Sequence, residues 1–289
     1  IATEFYLLGF PGSEELHHIL FTIFFFFYLV TLMENTVIIV IVCVDKRLQS
    51  PMYFFLGHLS ALEILVTTII VPVMLWGLLL PGMQTISLSA CVVQLFLYLA
   101  VGTTEFALLG AMAVDHHVAV CNPLRYNIIM NRHTCNFVVL VSWVFGFLFQ
   151  IWPVYVMFQL TYCKSNVVNN FFCDRGQLLK LSCNNTLFTE FILFLMAVFV
   201  LFGSLIPTIV SYTYIISTIL KILSSSGRRK SFSTCASHFT CVVIGYGSCL
   251  FLYVKPKQTQ AADYNRVVSL MVSVALRDGV KRCCQLFRN

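Results

Sequence analysis

Long runs of apolar residues, separated by short polar stretches, recur along almost the whole chain. A helix needs about 20 such residues to cross a bilayer core about 30 Å thick. Six runs are long enough, and they cover residues 19–44, 54–80, 91–114, 137–158, 187–220 and 234–254. The pattern therefore predicts six helices that span a membrane.

A seventh apolar run covers only residues 267–276. At about 1.5 Å per residue, a helix of this length crosses roughly half of the hydrocarbon core. We predict an all-α polytopic membrane protein, a seven-transmembrane helix bundle with a truncated seventh helix. Residues 1–18 would form an extracellular N-terminal segment, 19–276 the helix bundle, and 277–289 a cytoplasmic amphipathic tail.

Composition supports the membrane class over the soluble ones. The chain is 59% hydrophobic and 10% charged, whereas soluble domains average about 45–50% and about 25%. Enzymes are disfavoured, because the sequence contains no nucleophile–base set, metal cluster or phosphate-binding loop. Transporters and channels are disfavoured too, because we find neither repeated halves with broken helices nor a continuous polar path.

Basic residues are biased towards one side of the predicted membrane. They follow the first, third and fifth spans and the seventh run, whereas Glu4, Glu14 and Glu15 precede the first span. The bias is modest, because the later outer loops also carry six basic residues, Lys164, Arg175, Lys180, Lys255, Lys257 and Arg266. The positive-inside rule then places the N-terminus outside and the tail in the cytoplasm. The basic residues are Lys46, Arg47, Arg125, Arg132, Arg228, Arg229, Lys230, Arg277, Lys281, Arg282 and Arg288.

Four cysteines fall on the predicted outer side. Cys91 begins the third span, and Cys163, Cys173 and Cys183 lie in the long loop before the fifth. Thiols that face an oxidising compartment are expected to pair, but the sequence alone leaves three pairings open. The same loop carries a glycosylation sequon at Asn184, whose closeness to the predicted membrane argues against occupancy.

Several motifs together resemble those of odorant receptors, which are rhodopsin-like G-protein-coupled receptors. The closest likeness is to the tetrapod class II type, and it extends from the first residues to about Val274. The motifs are "TEFYLLGFPG", "PMYFFLGHLS", "AMAVDHHVAVCNPLRY", "TYCKSNVVNNFFCDRGQLLKLSC", "SYTYIISTIL" and "GRRKSFSTCASHFTCVV".

The resemblance implies a plasma-membrane receptor that binds a small, mostly apolar odorant and activates a stimulatory G protein. It implies that Cys91 pairs with Cys173 and Cys163 with Cys183. It also implies a ligand cavity among the third, fifth and sixth helices, roofed by the long loop. The residues that match this cavity are Leu99, Gly102, Thr103, Phe106, Met196, Val200, Tyr246, Cys249, Leu250 and Tyr253.

Two carboxyl groups lie within predicted spans, Glu63 in the second and Glu105 in the third. One interpretation is a protonated carboxyl that hydrogen-bonds between helices. The other, which the resemblance favours, is a shared sodium site, because two ionised carboxylates would repel unless a cation bound between them. We expect no other cofactor.

The switch region departs from the family pattern. By resemblance, Asp115 holds the end of the third helix, Tyr212 swings towards it on activation, and His238 belongs to the sixth-helix switch. The family has an arginine and a tyrosine after the acid, where this chain has His116 and His117. Histidine is shorter and mostly neutral near pH 7, so the bidentate contact of the arginine is lost.

The seventh run is the second departure, because the family segment with its Asn-Pro-x-x-Tyr motif is absent between Val274 and Ala275. Cys283 and Cys284 in the tail are candidate palmitoylation sites. The sequence therefore leaves two hypotheses, a signalling odorant receptor and a protein of the same fold that does not signal. It names neither the odorant nor the oligomeric state.

Overall fold

Helices dominate this chain because a segment in lipid must satisfy its backbone hydrogen bonds internally. The computed structural model describes residues 4–9, 12–80, 82 and 84–254, with only the backbone at residues 48, 234, 237, 241 and 248–254. The predicted seventh run and the tail lie outside the described residues. The helices are α1 Glu14–Val44, α2 Pro51–Leu79, α3 Leu88–Cys121, α4 Tyr126–Ile129, α5 Arg132–Phe149, α6 Ile151–Gln159, α7 Arg175–Leu181, α8 Leu187–Leu220 and α9 Ser225–Val254.

Five segments of the described chain are long and apolar enough to cross a membrane. They are α1, α2, α3, the α5–α6 pair and α8. The sixth predicted span lies in α9, whose 30 residues begin with polar turns. Many large apolar side chains on these helices are exposed, including Phe26 at 62%, Met33 at 61% and Leu140 at 62%. Such extensive apolar surface is what a lipid-facing helix presents.

Most helices are longer than the apolar runs that predicted them. Helix α1 starts at Glu14 rather than at residue 19, and α3 continues past residue 114 to Cys121. Helical hydrogen bonding does not stop where lipid stops, so polar residues extend a helix beyond the hydrocarbon core.

The fourth predicted span is broken into α5 and α6 at Gln150. The cause lies three residues further on, since Pro153 has no backbone N–H to offer the carbonyl of Phe149. Gln150 has φ −88° and ψ −4° there. The proline therefore places a polar side chain at a break within an apolar segment.

A small β-sheet departs from the all-helical expectation. Strand β1 (Glu4–Leu7) pairs antiparallel with β2 (Gln84–Ser87) and parallel with β3 (Val167–Val168). The strand order is β2-β1-β3, so the N-terminal strand is the central one. Because its partners come from two distant loops, the N-terminal segment ties those loops together.

The chain forms two compact units, to each of which several of the long helices contribute. The first comprises Ile1–Val37, Ala61–Thr104 and Val144–Val198, and the second comprises Ile38–Ser60, Glu105–Trp143 and Phe199–Asn289. The core of the first unit surrounds Phe5, Cys91, Leu95, Tyr162 and Cys173. The second unit has one cluster around Tyr212 and Ile215 and another around Leu201 and Tyr246.

Phe5 is the main apolar anchor of the N-terminal strand. Its side chain is fully buried, and its ring meets that of Tyr162 edge-on at 5.2 Å. We predict that Phe5→Ala lowers the melting temperature and surface level of the protein, because truncating a buried phenylalanine costs about 3–5 kcal/mol. Tyr6→Ala removes a ring from the less buried face of the same strand and serves as the control. Equal losses in both variants would contradict the anchoring role.

Candidate functional site

Two disulfides organise the loop between α6 and α8. Cys91 in the first turn of α3 is bonded to Cys173, and Cys163 to Cys183, with Cα–Cα distances of 5.4 and 5.8 Å. This is the pairing that the resemblance implied. An isolated antiparallel β-bridge pairs Tyr162 with Ser182, next to the disulfide between Cys163 and Cys183. The loop is therefore tied both to the start of α3 and to itself.

Polar side chains add to this attachment. Gln94, one turn after Cys91, accepts a hydrogen bond from the backbone N–H of Cys173 at 3.1 Å and donates one to the carbonyl of Ile69 at 3.2 Å. The hydroxyl of Tyr162 donates to the carbonyl of Met157 at 2.6 Å. Burial raises the pKa of Tyr162 to about 12, so this donor keeps its proton. We call the sheet, the loop and its disulfides the lid, and sequence reasoning had assigned no role to Gln94.

Four of the predicted ligand residues belong to the unit that carries the lid. Leu99 is half-buried and packs against the core of the first unit. Gly102 faces open space, since no described heavy atom lies within 4 Å of the position that a Cβ would take there. Thr103 is buried, and Met196 is half-buried on α8. Among the described atoms, the position beside Gly102 is therefore unfilled, about one turn from Leu99 on α3.

Thr103 has a partner that the sequence did not suggest. Its hydroxyl donates to the carbonyl of Leu99 at 2.8 Å and accepts from the side-chain amide of Gln150 at 2.9 Å. The predicted role of this hydroxyl was to orient a polar group of the ligand. In the structure it also joins α3 to the break between α5 and α6.

The remaining predicted ligand residues belong to the second unit. Tyr246 is buried, and its ring lies 5.1 Å from that of Phe106. Both rings pack with Leu201, Leu205 and Val242. Val200 is half-buried on α8. The side chains of Cys249, Leu250 and Tyr253 lie outside the described residues, although their backbone continues α9.

The predicted switch residues meet within the second unit. Tyr212 and His238 are within hydrogen-bonding distance through the phenol oxygen and Nδ1, and the phenol also donates to the carbonyl of Cys235 at 3.3 Å. The ring of His238 meets that of His116 edge-on, with the centroids 4.9 Å apart. The buried rings of His116, His238 and Tyr212 therefore form a row that connects α3, α9 and α8 in that order.

Asp115 has a different partner. The phenol of Tyr126 on α4 donates to its carboxylate at 2.9 Å. Burial and the nearby Asp115 carboxylate raise the pKa of Tyr126, so the phenol stays protonated and can donate. Tyr126 lies within the quoted motif, but sequence reasoning gave it no role. His117 points elsewhere, with its ring 5.5 Å from that of Tyr214.

The two carboxyl groups of the predicted cation site are half-buried, Glu63 on α2 and Glu105 on α3. Across residues 4–254, excluding those not described, no group of three or more His, Cys, Asp and Glu side chains could hold a metal ion. A sodium ion bound by the two glutamates stays a prediction.

A sequence model of the olfactory receptor family matches residues 24–276. The chain belongs to the olfactory receptor family. This membership confirms the predicted fold class, an all-α polytopic receptor rather than an enzyme.

Curated relatives agree along the whole chain. The receptor is 91% identical to human olfactory receptor 9A4 and 72% identical to human olfactory receptor 9A2, over all of this chain and 98% of each relative. It is 45% identical to mouse olfactory receptor 6E1 over 94% of this chain and 87% of that relative. The alignment with receptor 9A4 spans 307 positions against 289 residues here, so that relative has at least eighteen residues that this chain lacks.

We predict that Tyr126→Phe destabilises the purified receptor. The carboxylate of Asp115 is 1% exposed, and leaving a buried group without its donor costs about 1–3 kcal/mol, more where it is charged. Thermal melting in detergent measures the effect. Tyr214→Phe is the control, since Tyr214 is 58% exposed.

The same pair allows a stricter comparison. Because Tyr126 acts on Asp115 in this account, Asp115→Asn and Tyr126→Phe should be coupled, with a loss in the double variant smaller than the sum of the single losses. Additive losses would show that the phenol stabilises the receptor without Asp115.

Proposed function

We propose that the receptor binds a small, mostly apolar odorant in a transmembrane cavity and responds by activating a stimulatory G protein. The observation that carries the proposal is the position beside Gly102, which no described atom fills and which lies on the same helix as the disulfide-bonded Cys91, about three turns further along. Ligand sites are concave and mostly apolar, with a few polar groups that fix orientation. The predicted lining has this composition, because its ten residues are apolar or aromatic apart from hydroxyl and thiol groups.

The lining also limits the chemistry and affinity of the ligand. None of the ten residues carries a formal charge, so a cationic or anionic odorant would lose its hydration without gaining a counter-charge. A small ligand gains at most about 1.5 kcal/mol per heavy atom. We expect neutral ligands with micromolar affinity, which corresponds to about −8 kcal/mol.

The proposed response is a shift between two helix arrangements. In the described arrangement, Tyr212 bonds to His238 rather than to Asp115, and the contact of His116 with His238 adds a second link between α3 and α9. Ligand binding would favour an arrangement in which these rings separate. The contacts among the rings of Tyr212, His238 and His116 support the proposal that they stabilise the inactive arrangement.

The proposed orientation has the lid outside the cell, in the plasma membrane. Disulfides form in oxidising compartments, and the lid carries both of them. Asp115, Tyr126 and the basic start of α9 then belong to the cytoplasmic side, as the positive-inside rule predicts. The cytoplasmic side is also where a G protein binds.

A second candidate function is a receptor that binds odorants without signalling. His116 in the place of the usual arginine supports it. The shorter length of the chain relative to olfactory receptor 9A4 supports it as well. Eighteen residues make a helix of about 27 Å, enough to complete the predicted stub at residues 267–276. A gap there would remove the inner half of the seventh helix.

Expression in cultured cells with a cyclic-AMP reporter tests the leading proposal. We predict saturable, dose-dependent responses to neutral volatile compounds and weak or no responses to charged ones. The parent cell line without the receptor controls for endogenous signalling. Odorant binding to the purified receptor without any cyclic-AMP response would favour the second candidate.

We predict that His116→Arg increases the cyclic-AMP response at equal surface expression. The reason is that guanidinium restores a permanent charge with a bidentate fork, which imidazole does not offer. His117→Arg adds the same charge one position further on and is the matched control. No gain for His116→Arg, or the same gain for both variants, would contradict a specific defect at position 116.

A further inference from the structure

Gln150 is a buried amide in an otherwise apolar membrane segment. It is 8% exposed and lies at the break between α5 and α6. Its side chain donates to the hydroxyl of Thr103, 2.9 Å away on α3. Burying an amide costs free energy unless it is hydrogen-bonded, so this contact holds both side chains in place.

The surrounding bonds fix the direction of the Thr103 proton. The hydroxyl oxygen lies 2.8 Å from the carbonyl of Leu99, which can only accept. A threonine hydroxyl has one proton and two acceptor positions. The proton therefore points to Leu99, and the amide of Gln150 occupies one acceptor position. Only the second acceptor position is left for a ligand.

Close packing keeps this geometry rigid. Gly146 lies one turn before Gln150 in α5, and a Cβ added there would lie 3.0 Å from the carbonyl of Ala100 and 3.0 Å from the backbone N of Thr104. Because Gly146 has no side chain, α5 and α3 approach each other more closely there than a larger residue would allow. The backbones that carry Gln150 and Thr103 are consequently held close together.

The position of Thr103 connects this geometry with the ligand. It follows Gly102, beside which no described atom lies, and it comes one turn after Leu99, which packs against the core of the first unit. We propose that Thr103 determines specificity, because Leu99 holds its hydroxyl proton and Gln150 holds one acceptor position, so that the site prefers odorants with a hydroxyl group to the matched carbonyl compounds. An alcohol donates to the remaining acceptor position, whereas an aldehyde or ketone finds no proton there. This inference rests on the proposed function and adds the chemical class of the ligand.

The experiment compares pairs of odorants that differ in one group. Straight-chain alcohols are tested against aldehydes of the same chain length, and phenols against their methyl ethers, in the cyclic-AMP assay. The wild-type receptor and a His116→Arg background are both used, so that weak coupling does not hide binding. We expect the hydroxyl compound of a pair to act at a concentration roughly three- to tenfold lower, the range of one neutral hydrogen bond.

Three variants separate positioning from general stability. Thr103→Val keeps the side-chain shape but removes the hydroxyl. It should bring the ratio of the effective concentrations of the two compounds in each pair close to one. Thr104→Val is the matched control, because Thr104 is also buried and bonds to the carbonyl of Ala100 at 2.8 Å; it should leave the ratio unchanged. Gln150→Leu removes the donor that occupies one acceptor position while the proton stays directed to the carbonyl of Leu99, so the hydroxyl compound should gain and the ratio should widen. It also provides the test if Thr103→Val does not reach the cell surface.

The outcomes are distinguishable. A wild-type receptor that prefers the carbonyl compounds, or a ratio that neither Thr103→Val nor Gln150→Leu alters, would overturn the inference while leaving the proposed function in place. A receptor that reaches the surface and responds to no odorant in either background would contradict the proposed function, and with it the preference for hydroxyl compounds.

Discussion

In lipid, a polar group that finds no partner within the protein finds none at all, and this constraint determines most of the structure. It makes the spans helical, and it also directs the hydroxyl groups inside them. Thr31, Thr67, Thr104, Ser142 and Thr208 each donate to the carbonyl four residues earlier. The hydroxyl protons at these five positions are thus occupied by backbone carbonyls.

The two units meet the constraint in different ways. The lid lies at helix ends, where strands and disulfides can form, and it buries Phe5 and Tyr162 against Cys91 and Cys173. The switch region joins helices through side chains, with Tyr126 on Asp115 and three rings in a row. The two disulfides of the lid restrict it to one shape. Contacts between aromatic rings are individually weak, which fits the proposed separation of these rings on activation.

The long helices could be predicted from the sequence because each is an apolar run of sufficient length. The family, too, could be identified from motifs such as "AMAVDHHVAVCNPLRY", since several of them occur in the right order. Strand β1 could not be predicted, because it has four residues and its partners lie about 80 and 160 residues further along the chain. Alternation over four residues does not distinguish a strand from the end of a loop.

Single polar side chains were the hardest to interpret. Gln150 is one amide in an apolar segment, and nothing in the sequence reveals that it bonds to Thr103 on another helix. Tyr126 stands inside a recognised motif, yet its bond to Asp115 depends on the short helix α4 that follows the third span. Such contacts depend on three-dimensional placement, which residue spacing within one helix does not encode.

The central claim is that an odorant occupies the space beside Gly102 under the lid. The most direct measurement is the melting temperature of the receptor in lipid nanodiscs, titrated with its most active odorant, for the wild type and for Gly102→Phe. A ligand that binds only the folded state raises the melting temperature as its concentration rises. The account predicts this rise for the wild type and its loss in Gly102→Phe, with both proteins equally stable without odorant. An equal rise in both proteins would place the odorant elsewhere and contradict the account.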